Sequence, residues 1–464
     1  MRLARAATTA LVVGCVVVGT GWSSVAVASY QVPPFVFTQP ATNPTLAAQS
    51  RIFDASAGDA SGTRVVLYGG EAPGSTTARA DTWVNEADGT WRPMCGTSVA
   101  GATAACGPGA RAGMGMADAP GGVILYGGFA DSIGGGGNPP DGDTWRWNGS
   151  TWSRVCTAAT CGPGARALMS MAGNGTSAVM FGGIGNSGIL DDTWVFDGSG
   201  WTQTCGQTGS PCGPSGLAAA SMAWDGDHYV LFGGADLNGS GAPVDDTWVF
   251  DGTRWTKVCG TSMGHACGPE ARGLGAFAFA NNPDDSMRGA VLAEGGDIFG
   301  SGTTQHLDRD AWFFDGAVWT RLDPPWNAAP VSWPNSGSPP AGPDPLIGTM
   351  AAKPALCEAV YLGAAVTVSA NQPTLRGKTF VVGRPESSCR PSVLPALPPA
   401  AQPVVAPAPN PVARDPAAVP AATGPSLAMT GPHALVPSAL VGLLLLASGA
   451  LLLVVTGARR RAVT

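Results

Sequence analysis

Hydrophobic and polar positions along the middle of this chain repeat as a phrase. An apolar run ends in a glycine pair at Gly69-Gly70, Gly127-Gly128, Gly182-Gly183, Gly233-Gly234 and Gly295-Gly296. The second glycine recurs after 58, 55, 51 and 62 residues. A second phrase follows each pair, an aspartate two residues before a tryptophan: Asp81 and Trp83, Asp143 and Trp145, Asp192 and Trp194, Asp246 and Trp248, Asp310 and Trp312. A tight-turn dipeptide comes next, as in Asp197-Gly198, Asp251-Gly252 and Asp315-Gly316, with Asp88-Gly89 and Asn148-Gly149 in the same slot. Such dipeptides between apolar runs predict hairpins. With a further apolar run opening at Arg51, Arg111, Arg166 and Arg272, each unit predicts four short strands. The fourth unit departs, with Ser215, Gly216 and Leu217 in the arginine's place. No helical period runs through the repeats. Four strands per roughly 50-residue unit predict a blade that buries its faces only against its neighbours.

These residues resemble the kelch repeat, as found in kelch proteins and in the central domain of galactose oxidase. The resemblance covers about 51–319 and rests on the glycine pair and on the tryptophans of the third and fourth strands. It implies an all-β, kelch-type β-propeller. Five units are plain. Further strands are expected at 358–363 and 379–383, and 35–38 could supply a missing outer strand and close the ring, so six blades are expected, with seven as the alternative.

The two ends set the compartment. Arg2 and Arg5, an apolar run over 6–21 and the small residues Ala26 and Ala28 predict a secretory signal at 1–28. Lipoprotein processing at Cys15 is the rival reading. The propeller is assigned to 29–392 and a Pro/Ala-rich, semi-rigid spacer to 393–426. Within 427–464 an apolar run at 435–456 is long enough for a transmembrane helix, and Arg459, Arg460 and Arg461 after it place that end in the cytoplasm. Leu427, Ala428, Met429, Thr430 and Gly431, just before the run, resemble a sortase sorting signal of a variety known from actinobacteria. That resemblance implies cleavage after Thr430 and a covalent link through Thr430 to peptidoglycan, with the helix holding the membrane before processing. A plain membrane anchor is the alternative. The body is expected outside the cell, at the wall or plasma membrane.

Composition narrows the chemistry. The net charge of −7 gives nucleic acid no electrostatic footprint. Of eleven cysteines Cys15 leaves with the signal, and an even ten in an exported chain suggest disulfides. Eight recur as close neighbours, the first four residues after a tryptophan and the second before Gly-Pro: Cys95 with Cys106, Cys156 with Cys161, Cys205 with Cys212, Cys259 with Cys267. Cys357 and Cys389 form the remaining pair. There is no Cys-x-x-Cys metal spacing.

Galactose oxidase binds copper through tyrosine and histidine. Here His228, His265, His306 and His433 stand in dissimilar contexts, and Tyr68 and Tyr126 end core strands, so no cofactor, metal or catalytic residue is assigned. The repeated Asp of Asp-Thr-Trp is expected to bond backbone amides or pair with the blade arginine, with calcium as the alternative. The chain is read as a binding module for an unidentified protein or carbohydrate, not an enzyme. A galactose-oxidase-like envelope enzyme and a purely structural spacer are the alternatives. Two loop sets vary, one after the glycine pairs and one holding the disulfides, and the first is expected to be the ligand face.

Overall fold

The computed structural model describes residues 36–38, 51–72, 77–96, 106–130, 139–206, 213–236, 242–279, 289–297, 305–322, 331–333, 346–356, 358–369 and 372–383. The signal, the spacer, the sorting pentapeptide, the 435–456 run, Cys212, Cys357 and Cys389 lie outside them. Among the described residues no helix is long and apolar enough to cross a membrane.

The repeats fold as antiparallel, mostly four-stranded sheets. The first comprises Ala55–Gly58, Val65–Tyr68, Thr82–Asn85 and Trp91–Cys95; the second, Gly115–Ala119, Gly122–Tyr126, Thr144–Trp147 and Trp152–Cys156. The third holds Ser170–Gly173, Ala178–Phe181, Thr193–Phe196 and Trp201–Cys205; the fourth, Ser221–Trp224, Tyr229–Phe232, Thr247–Phe250 and Trp255–Cys259. The fifth has Ala276–Phe279, Ala290–Asp297, Gln305–Phe314 and Trp319–Leu322, with Val331–Trp333 added beside its long third strand. In that sheet the glycine pair Gly295-Gly296 lies inside a strand that runs on to Asp297, instead of ending it. A sixth sheet combines Leu346–Lys353, Glu358–Ser369 and Gln372–Gly383, and Val36–Thr38 joins its outer edge, Val36 opposite Gly383.

The first strands neighbour one another cyclically, the sixth lying beside the first. Second strands carry the core: every residue of Val65–Tyr68, Ala178–Phe181 and Tyr229–Phe232 is buried, because a sheet packs on each face. The join between first and sixth sheets is polar as well as apolar. Ser56 Oγ meets Thr349 Oγ1 at 2.7 Å, and the buried Lys353 donates to the Glu86 carbonyl at 2.5 Å.

In the second to fifth sheets the fourth-strand tryptophan locks its sheet to the one before. Trp152, Trp201, Trp255 and Trp319 donate Nε1–H to Thr82, Thr144, Thr193 and Thr247 at 2.8–2.9 Å. Their rings stand edge-on to Tyr68, Tyr126, Phe181 and Phe232, with centroids 5.2–5.5 Å apart. That is the geometry aromatic quadrupoles favour. In all four threonine-bearing third strands the register slips between Thr and Trp. A bulge there re-aims the two side chains relative to a regular pleat.

Candidate functional site: one mouth of the ring

In an antiparallel meander the second-to-third and fourth-to-first connections emerge at the same end. The two variable loop sets are therefore one face rather than two alternatives. The short first-to-second and third-to-fourth turns form the other end. They are closed by side-chain brackets, as where Asp197 Oδ1 accepts the N–H groups of Ser199 and Gly200.

A repeated brace supports the variable mouth. Arg51, Arg166 and Arg272 are buried and pair with the Asp-Thr-Trp aspartates Asp81, Asp192 and Asp310 at 3.0, 2.5 and 2.7 Å. Arg51 and Arg166 also donate to the carbonyl of the first glycine of the pair, Gly69 and Gly182. The same aspartates accept the indole N–H of Trp83 and Trp194 at 2.8 and 2.7 Å. The second repeat varies: Arg111 pairs with Asp141, and Asp143 with Arg154. The fourth has no arginine, and Lys257 takes Asp246 at 2.5 Å. What the fourth repeat keeps is the backbone. The second glycine of each of the first four pairs donates N–H to the carbonyl of the next sheet's Arg111, Arg166, Leu217 or Arg272. Leu217 therefore serves where an arginine stands elsewhere. These aspartates are thus engaged by the arginine, lysine and indole N–H groups of the repeats.

The glycine pair is required at this joint. Gly69 and Gly70 have φ of 62° and 79°, and a Cβ on Gly69 would stand 2.6 Å from the Arg111 carbonyl oxygen.

Two residues after each arginine position the backbone is left-handed again: Phe53, Gly113, Leu168, Ala219 and Leu274, at φ of 53–68°. Four of the five are not glycine, a conformation that costs of order 1 kcal/mol each. A belt of hydrogen bonds holds them. Gly113 N–H donates to Phe53 O, Leu168 to Gly113, Ala219 to Leu168 and Leu274 to Ala219, at 2.7–2.9 Å. Just inside the belt lies a cavity of about 160 Å³ whose walls are the first strands. Residues along its walls include Met114, Met116, Met169, Met171, Met222 and Met350, with Ser56, Ser170, Ser221, Thr349 and Phe277. One carboxylate joins them. Asp54 stands where the next repeats carry Met114, Met169, Ala220 and Gly275. Burial pushes its carboxyl up to about 7, against the opposing pull of Arg51 and Arg79.

The disulfides Cys95–Cys106, Cys156–Cys161 and Cys259–Cys267 close the fourth-to-first connections, with Cα atoms 5.1–5.3 Å apart. Cys205 is also disulfide-bonded. Their sulfurs sit at the hinge of the tryptophan lock: the hydroxyls of Thr82, Thr144 and Thr247 lie 2.9–3.1 Å from Cys106, Cys161 and Cys267. Since a disulfide sulfur carries no proton, the hydroxyl donates to it while accepting the indole N–H.

The histidines are not brought together. His228 lies in a turn of the far end, where Asp225 accepts its N–H, and His265 lies in an exposed disulfide loop of the variable mouth. His306 pairs with Asp297 and Ser332 in the fifth sheet, and His433 lies outside the described residues. Tyr68 and Tyr126 are buried and donate to the carbonyls of Gly109 and Gly164. Among the described residues no three His, Cys, Asp or Glu side chains cluster as metal ligands.

Residues 53–283 match the family model of the KLHDC2/KLHL20/DRC7 Kelch-repeats domain. No curated protein matches the chain. The solved structure of YjhT is similar over 70% of this chain and 97% of its own, at 14% identity and a TM-score of 0.45.

Proposed function

We propose that the Kelch-repeat domain carried by this chain is the displayed part of an exported envelope protein, and that its variable mouth binds a protein or a glycan without catalysing a reaction. The observation that carries the reading is the convergence of both variable connection sets on one mouth, above a buried Arg–Asp–glycine brace. A rigid frame that presents variable loops at one end is the arrangement of a recognition surface.

Several finer features belong to the same reading. The ring counts six blades, and Val36–Thr38, paired with Gln372–Gly383, joins the two ends of the propeller within one sheet. The disulfides suit an oxidising compartment, which supports export behind the 1–28 signal. Display follows through the 393–426 spacer and covalent attachment of Thr430 to peptidoglycan by a sortase, the 435–456 helix holding the chain in the membrane until then. If Thr430→Ala leaves the protein as resistant to detergent extraction from intact walls as the natural chain, covalent attachment is wrong.

The binding reading is tested by probing protein and glycan arrays with the full chain in detergent. Saturable binding to one chemical class, lost on reduction of the disulfides, is expected. Turnover of an arrayed glycan, or uniform signal on all spots, contradicts it.

A further inference from the structure

Second strands in the first four sheets stop just before the glycine pair, after four or five residues. In the sixth sheet the second strand, Glu358–Ser369, runs for 12 residues, and the third, Gln372–Gly383, pairs with it along its whole length. The first strand of that sheet pairs only as far as Leu346 opposite Ala365. Residues 366–369 and 372–375 therefore stand beyond it as a two-stranded arm, about 13 Å long. Second strands run toward the variable mouth, so the arm rises there. Its edge above Leu346 lies on the side of the first strands, which wall the centre of the ring.

The register shows which backbone groups that edge offers. Two residues separate Ser369 from Gln372, which makes these two the hydrogen-bonded closing pair. Alternation then puts Val368 and Val366 in the non-bonded pairs, opposite Pro373 and Leu375, with their N–H and C=O groups directed away from the partner strand. Pro373 fits this assignment, since a non-bonded position needs no N–H. Among the described residues no strand besides Gln372–Gly383 pairs with 366–369. The chain just before Leu346 is ill suited to do so. Extending the register would set Pro345 opposite Val366 and Pro343 opposite Val368, where an N–H is required and proline has none. The fifth sheet is the contrast: its long third strand receives Val331–Trp333 of the same chain opposite Gln305–Leu307. The other edge of the sixth-sheet arm carries Pro373, Arg376 and Lys378, residues that blunt an edge, whereas 364–369 reads Ala-Ala-Val-Thr-Val-Ser, with no charge and no proline.

We propose that the inner edge of this arm takes up an extended peptide of a partner protein as an added strand, bonded through the backbone of Val366 and Val368. This rests on the reading that the variable mouth recognises a partner, and it selects protein over glycan. Over 364–378 the arm carries Arg376 and Lys378 and no acidic residue, in a chain of net charge −7, so an acidic peptide is its complement. The probe is a capped, dye-labelled hexapeptide, Asp-Thr-Val-Thr-Val-Asp, titrated into the full chain in detergent and followed by fluorescence anisotropy. Saturable one-to-one binding is expected. Alternate residues of an added strand face the arm, so N-methylation of both threonines or of both valines should weaken binding at least tenfold in one case and leave it unchanged in the other. Val366→Pro/Val368→Pro removes two outward N–H groups and should weaken binding at least tenfold, whereas Leu375→Pro, on the opposite edge, should leave it unchanged. Absence of binding, equal affinity of the two methylated peptides, or full affinity in the double variant overturns the proposal. A dimer of the full chain that the double variant dissolves makes a second copy the occupant and overturns it as well. If the peptide test fails while an arrayed partner still binds through 184–190, strand addition alone falls. If the peptide binds through the arm while no arrayed partner depends on 184–190, the broader reading alone falls.

Discussion

The brace beneath the mouth can be weighed by removing one charge from it. In the third repeat Arg166 is 1% exposed and Asp192 14%, and the pair makes two contacts, of 2.5 and 2.8 Å. Asp192→Asn keeps the shape and removes the charge. Arg166 then keeps its bonds to the carbonyls of Gly182 and Pro163 but stays buried without an anion. Stranding a buried charge in this way costs about 3–5 kcal/mol. Because Asp192 retains some solvent, the lower end, about 3 kcal/mol, is the expectation. The control is Asp251→Asn, whose partner Arg254 is 78% exposed, and which should cost at most about 1 kcal/mol of ion pairing. Urea unfolding followed by tryptophan fluorescence reads both. The double variant Arg166→Met/Asp192→Leu should recover much of the loss, since no unpaired charge remains. A loss below about 1 kcal/mol in Asp192→Asn, or a double variant as unstable as the single, would refute the idea that the pair braces the mouth.

Three further outcomes follow from the same geometry. Gly69→Ala places a Cβ 2.6 Å from the Arg111 carbonyl at φ 62°, and should cost more than 2 kcal/mol, whereas Gly252→Ala, with nothing within 4 Å, should cost only about 1 kcal/mol, both by thermal unfolding. Thr193→Val strands the buried Trp255 N–H and should cost about 1–3 kcal/mol, and Thr193→Ser should restore most of it. Burial pushes the Asp118 carboxyl up to about 6, so the folded state holds its proton more tightly than the unfolded state with its value of 3.8. Asp118 alone therefore contributes a loss of stability as pH rises from about 4 to about 6, by at most roughly 3 kcal/mol. Asp118→Asn should flatten that slope, and an unchanged stability profile between pH 4 and pH 8 would speak against a buried ionisation.

The repeat was legible because it is carried by residues with one conformational use each: glycine pairs at positive φ, Asp-Gly turns, and tryptophans at fixed spacing. The adjacent cysteines that pair were legible for the same reason. The outer edge strand at Val36–Thr38 could be anticipated from its place upstream of Arg51. Other features were hidden because they arise only when sheets meet. No local pattern marks Thr82 or Thr144 as the acceptor for a tryptophan 70 or 57 residues later. That the glycine-pair loops and the disulfide loops share one mouth follows from strand direction, which spacing alone left unused. Asp54 was overlooked because it belongs to none of the repeated phrases. Its signal is a lone charge in a column otherwise filled by Met114, Met169, Ala220 and Gly275.

The central claim is that recognition belongs to the variable mouth. The direct measurement compares two loop replacements in the full chain against whichever arrayed protein or glycan it binds. One replaces the variable connection at 184–190, with its small strands Ile184–Gly185 and Gly188–Ile189, and the other replaces the far-end turn at 197–200. The account predicts at least tenfold weaker binding for the first and no change for the second. Binding that survives the first replacement and is lost with the second would contradict it.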